Sequence, residues 1–122
     1  MADKDVDVTI TEILVDPGPN QYDWSIEDPI DMETGRKNLV FKSAGSNKSA
    51  WSFTNVSIWK SGDPEPTQPG SVVAPFGTPS VQNNKITIDD NDTAAGTYEY
   101  RLYADYGGTS ISHDPQIINR GA

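Results

Sequence analysis

Apolar residues along this chain recur at alternate positions rather than on a helical stripe. Val6, Val8, Ile10 and Leu14 share one parity, with Asp7, Thr9 and Thr11 between them. Side chains of a strand point to opposite faces in turn, so this pattern predicts a half-buried strand. Asp16-Pro17-Gly18-Pro19-Asn20 then breaks it with turn chemistry. Tyr22, Trp24 and Ile26 predict a short second strand, and Leu39 with Phe41 a third across 38–42. The fourth runs from Trp51 to Trp59, with Trp51, Phe53 and Trp59 on odd positions and Val56 and Ile58 on even ones. Apolar residues on both parities predict a central strand, or a bulge that switches the face.

From Ser61 to Pro79 the chain carries five prolines and three glycines. This predicts a long loop with at most a short edge strand at Val72-Val73, and loops this long tend to be functional. Ile86 and Ile88 mark a fifth strand, which Asp89-Asp90-Asn91-Asp92 closes as an acidic turn. Tyr98, Tyr100, Leu102 and Ala104 form the clearest inward stripe, with Glu99, Arg101, Tyr103 and Asp105 facing outward. Gly107-Gly108 is a two-residue hairpin signal leading into 109–113. Asp114-Pro115 interrupts that strand and Ile117-Ile118 resumes it. About seven short strands joined by turn-rich segments predict an all-β sandwich spanning residues 1–122 as one domain. Composition agrees: valine, isoleucine and threonine number 8, 10 and 10, against 3 leucines.

Gly96-Thr97-Tyr98-Glu99-Tyr100, ahead of the glycine hairpin, resembles the late strands of immunoglobulin-like domains. Asp92 upstream of Tyr98 is similar to a tyrosine corner at a longer spacing, and Trp51 is the candidate core tryptophan. Asp63-Pro64-Glu65-Pro66 in the long loop resembles the signature of the DP-EP family, small bacterial proteins named for these two dipeptides. The resemblance covers four residues and the general architecture. It implies a bacterial source and an immunoglobulin-like sandwich, and no activity or catalytic residue comes with it.

The charge balance then removes whole classes of function. Nine basic residues against 18 acidic ones give a net charge of −9, opposite to what a nucleic-acid backbone or an anionic membrane attracts. With no cysteine and one histidine, disulfides, thiolate metal sites and histidine clusters are excluded within the chain, and no cofactor is expected. The N-terminal residues show no secretory signal and no stretch is apolar enough to span a membrane, which predicts a cytoplasmic protein, with a secreted mature form as the alternative. Sequons at Asn47, Asn55 and Asn91 matter only in a glycosylating pathway.

Three constellations compete for function. The cluster Asp89, Asp90, Asp92 reads as a solvated turn, with calcium ligation as the competing reading. The rings of Trp24, Trp51, Trp59, Tyr22, Tyr103 and Tyr106 read as core packing, with a carbohydrate platform as the competitor. His113 beside Asp114 lacks the nucleophile or metal motif that would make it a catalytic base. The expected role is therefore non-catalytic: a small acidic recognition domain whose partner is another protein. Asp63 and Glu65 would supply steering charge, and Trp59 and Tyr103 contact area. A carbohydrate- or calcium-binding module is the alternative.

Overall fold

The computed structural model describes residues 3–32, 37–73, 76–90, 95–114 and 116–119. Ten strands lie among them: β1 Lys4–Ile13, β2 Gln21–Ser25, β3 Ile30–Met32, β4 Lys37–Ser43, β5 Trp51–Lys60, β6 Ser80–Gln82, β7 Lys85–Asp90, β8 Gly96–Tyr106, β9 Thr109–His113 and β10 Gln116–Asn119. They form two sheets, ordered β2-β1-β4-β7-β6 and β3-β10-β8-β5, with β9 beside β8 in the second. The fold is an all-β sandwich. Among the described residues no helix is long and apolar enough to cross a membrane.

The alternation read from the sequence decides which residues meet between the sheets. Val6, Val8, Ile10, Leu39, Phe41, Ile86 and Ile88 from the first sheet face Phe53, Val56, Ile58, Tyr100, Leu102 and Ile117 from the second, in one apolar cluster. Phe41 and Tyr100 meet across the interface with ring centroids 5.4 Å apart. Trp51 is 3 % exposed and packs edge-on against Phe53, so it is a core tryptophan. Burial raises the Tyr100 phenol far above its ordinary pKa, and the carboxylates of Asp28 and Glu27 push the same way.

Local chemistry sets the interruptions. Gly107 and Gly108 both have positive φ, +57° and +94°, as a two-residue hairpin needs, and Asp105 accepts the Gly108 N–H at 2.8 Å. The register of β9 on β8 continues unchanged into β10, from Tyr106 opposite Thr109 to Gly96 opposite Asn119. One long strand is thus interrupted between His113 and Gln116, where Asp114-Pro115 predicts a break; Pro115 itself lies outside the described residues. β3 and β6 are additions to the expected set. Ser80–Gln82 is exposed throughout and has no apolar alternation to announce it. Ile30–Met32 is three residues long, and its parallel partner β10 lies at the far end of the chain.

The acidic turn expected at 89–92 is corrected in part. Asp89 and Asp90 are strand residues, paired with Asn38 and Lys37 of β4. Asp90 follows Ile86 and Ile88 on the buried parity at 1 % exposure, whereas Asp89 lies on the other face. Asn91 and Asp92 lie outside the described residues, and with Asp92 goes the likeness to a tyrosine corner.

Candidate functional site

The outer face of the second sheet begins with a bulge in β5. Phe53 pairs with Ala104, but Asn55 pairs with Tyr103, so one extra residue enters at Thr54. The insertion switches parity: Trp51 and Phe53 point inward before it, Val56 and Ile58 after it. Asn55, Ser57 and Trp59 consequently turn outward, beside Tyr103, Arg101 and Glu99 of β8.

The proline-rich segment lies across this face as a strap. The Ser61 hydroxyl donates to Glu99 at 2.6 Å, and the Gly70 N–H donates to the Ser57 hydroxyl at 3.1 Å. The Ile58 N–H donates to the Ser71 carbonyl at 2.9 Å, and the Val73 N–H donates to the Ile58 carbonyl at 3.2 Å. Val72 thereby makes a parallel bridge to Ile58, the short edge pairing expected there. Gly70 has φ +96°, and a Cβ added there would stand 3.2 Å from the Asn55 amide, so glycine is needed for both conformation and approach.

Arg101 is the centre of the strap's attachment. Its Nε and Nη2 grip both carboxylate oxygens of Glu65 at 2.8 and 3.0 Å, Nη1 donates to the Ser112 hydroxyl at 2.9 Å, and Nη2 also reaches Asp114 at 3.2 Å. A guanidinium suits this because its planar fork matches a carboxylate in two bonds. The Glu65 hydrogen bond raises its already high pKa.

This geometry changes the roles of the four residues expected to bind. Trp59 is 7 % exposed, on the face the strap crosses, and is not available as a docking ring. Glu65 is a clamp, its charge already matched by Arg101. Asp63 stays exposed in the turn that leads from β5 into the strap, where its N–H donates to the Lys60 carbonyl at 3.0 Å. Tyr103 is half-buried and lines an open groove of about 320 Å³ with Thr54, Asn55, Pro69, Ser110 and Ile111. The strap thus brings Pro69 to Tyr103, while the charges of the Asp-Pro-Glu-Pro run divide between solvent and Arg101.

The other rings form a seam between the sheet edges. Trp24 of β2 stacks on His113 of β9 with centroids 5.3 Å apart and planes 12° apart, and Tyr22 meets Tyr106 at 5.2 Å. Burial lowers the His113 pKa against the opposing pull of Asp114. Asp114 makes its hydrogen bond to Arg101. For the metal reading, alternation sends Asp89 and Asp90 to opposite faces of β7, and no three potential ligands group together among the described residues.

Two of the sequon asparagines are engaged by their own chain. The Asn47 amide donates to the Ile10 carbonyl at 2.7 Å and to the Tyr106 hydroxyl at 3.1 Å, and the Asn55 carbonyl oxygen accepts the Val56 N–H at 2.9 Å. Asn91 lies outside the described residues.

A second groove, of about 520 Å³, opens on the outer face of the first sheet. Lys42, Ser43, Lys48, Ser49, Gln82, Asn84 and Lys85 line it. Sequence reasoning missed this groove because its lysines lie on three separate elements. No protein-family model matches the chain, and no curated protein matches it.

Proposed function

We propose that this chain is a non-catalytic acidic recognition domain that binds another protein through the Tyr103 groove and the exposed Asp63 at the start of the strap. The observation that carries the proposal is the clamped strap. Glu65–Arg101, Ser61–Glu99 and Gly70–Ser57 hold it in place before any partner arrives. A surface ordered in advance loses less entropy on binding. Tyrosine in a partly desolvated groove is a frequent anchor, and the exposed Asp63 carboxylate on a chain of net charge −9 steers a basic partner. The sandwich is read as immunoglobulin-like, in keeping with Trp51 in the core and the glycine hairpin after β8. The DP-EP resemblance lies in the strap itself, where the clamp offers a structural reason for Glu65.

The test is retention of a cellular protein on immobilised chain. Tyr103→Ala should abolish retention, and Asp63→Lys should weaken it and reduce its salt dependence. Retention unchanged by Tyr103→Ala would remove the groove from the proposal. A second reading, carbohydrate binding, draws on the half-buried Tyr103 ring beside the hydroxyls of Thr54 and Ser110 and the Asn55 amide. Saturable perturbation of the Tyr103 and Ser110 resonances by an oligosaccharide, with no protein retained, would favour it.

A further inference from the structure

We infer that the groove on the outer face of the first sheet is a binding site for a small phosphate ester carrying hydroxyl groups. Three of the chain's six lysines, Lys42, Lys48 and Lys85, line this groove, and no carboxylate is among its described lining residues. On a chain with twice as many acidic as basic residues, a lining without acid is a local inversion of charge.

The ladder enforces that inversion. Lys42 of β4 and Lys85 of β7 stand directly opposite each other. Like charges in that position destabilise a sheet, and either an opposite charge or a neutral side chain would remove the cost. Among the described residues the counter-ions of Lys42 lie on its other side, where Asp7 is its ladder partner on β1 and Asp5 lies 3.3 Å away. Among the described residues neither Lys48 nor Lys85 makes an ion pair.

Lys48 is also positioned. It opens the short 3-10 helix Lys48–Ala50, whose preceding residue Asn47 is tied to Ile10 and Tyr106. Gly45 turns the chain into it at φ +91°, where a Cβ would come 3.1 Å from Thr9. Two strands and a tethered turn thus bring three lysines to one groove, Lys42 with its ammonium on Asp5 and Lys48 and Lys85 without an ion pair among the described residues.

The ligand class follows from charge and size. Two lysines without a counter-ion among the described residues, beside a third flanked by Asp5 and Asp7, attract a dianion more strongly than a monoanion. A volume of about 520 Å³ exceeds what a bare oxyanion fills and lies within the range of small-ligand sites. The amides of Gln82 and Asn84 and the hydroxyls of Ser43 and Ser49 donate and accept, which suits hydroxyls on the organic part.

The test is a nuclear magnetic resonance titration of the labelled full chain with glucose 6-phosphate, inorganic phosphate and glucose. Glucose 6-phosphate should shift the Lys48, Asn84 and Lys85 amides saturably, with phosphate weaker and glucose silent. Lys48→Gln with Lys85→Gln should weaken binding about tenfold, whereas Tyr103→Ala, on the other sheet, should leave it unchanged. Lys48 is exposed and Lys85 half-exposed, so the double variant folds, which its amide spectrum checks. Absence of saturable shifts with either phosphate compound, or shifts indifferent to the lysine changes, would overturn the site. Phosphate binding as tightly as its ester would overturn the organic part of the assignment.

Discussion

The outer faces of the two sheets treat charge in opposite ways. On the second sheet Arg101 is surrounded by acceptors, with both oxygens of Glu65, the hydroxyl of Ser112 and the carboxylate of Asp114 within 3.2 Å. On the first sheet Lys42 faces Lys85 across the ladder, and Lys48 joins them over an open groove. Charges matched within the chain organise it: here they fasten a proline-rich strap to a sheet. Lys48 and Lys85, which make no ion pair among the described residues, fasten nothing in this way, and that leaves them available to a ligand.

Four measurements put this contrast at risk. The largest effect is expected under the strap. Trp59→Ala should cost about 3 kcal/mol in urea denaturation, as truncation of a buried tryptophan does; a neutral result would mean that the ring is solvated and that the strap does not cover it. Arg101→Ala comes next, at about 1 kcal/mol, because its partners are partly solvated. It should also speed hydrogen exchange at Gly70, and a double-mutant cycle with Glu65→Ala should show the two effects to be coupled.

The third measurement addresses the seam joining the two sheets. Burial against Trp24 depresses the His113 pKa in the folded state, so the unfolded chain binds the proton more readily. The contribution of His113 is therefore complete above its unfolded value of about 6.5 and is lost as pH falls from there through the folded value. His113→Gln should flatten the stability–pH curve between about pH 7 and 5 relative to the parent chain. Identical slopes would mean that the stacked imidazole is not desolvated. The smallest effect is on the lysine face. Lys85→Gln should stabilise the free protein by about 0.5 kcal/mol by removing the repulsion with Lys42. A loss of stability would show that Lys85 is a structural residue and that the two faces are alike.

Part of this architecture is legible in the order of residues alone. The Tyr98–Ala104 stripe is the inward face of β8, and the mixed parity of Trp51–Trp59 is a bulge at Thr54. The glycine hairpin and the break between β9 and β10 fall where expected. Other features have no local signal. Asp89 and Asp90 carry turn chemistry, but pairing with β4 extends the strand through them. Trp59 is expected to supply contact area to a partner, and it is buried on the face that the following loop crosses as it returns over its own strand. Of the residues expected to bind, Tyr103 and Asp63 retain that role in the proposal, and Glu65 is held by Arg101.

Short stretches of sequence dictate which side chains turn inward and where the chain bends. Both are local consequences of backbone geometry: side chains alternate along a strand, and glycine and proline restrict or release φ at one position. Which outward side chains become neighbours is settled only when the two sheets assemble. Arg101 meets Glu65 because the strap doubles back over β5 and β8, and Lys42 meets Lys85 because β4 and β7 pair. Those meetings depend on strand order and register, which are set by burying one shared core, and no window of neighbouring residues contains that information.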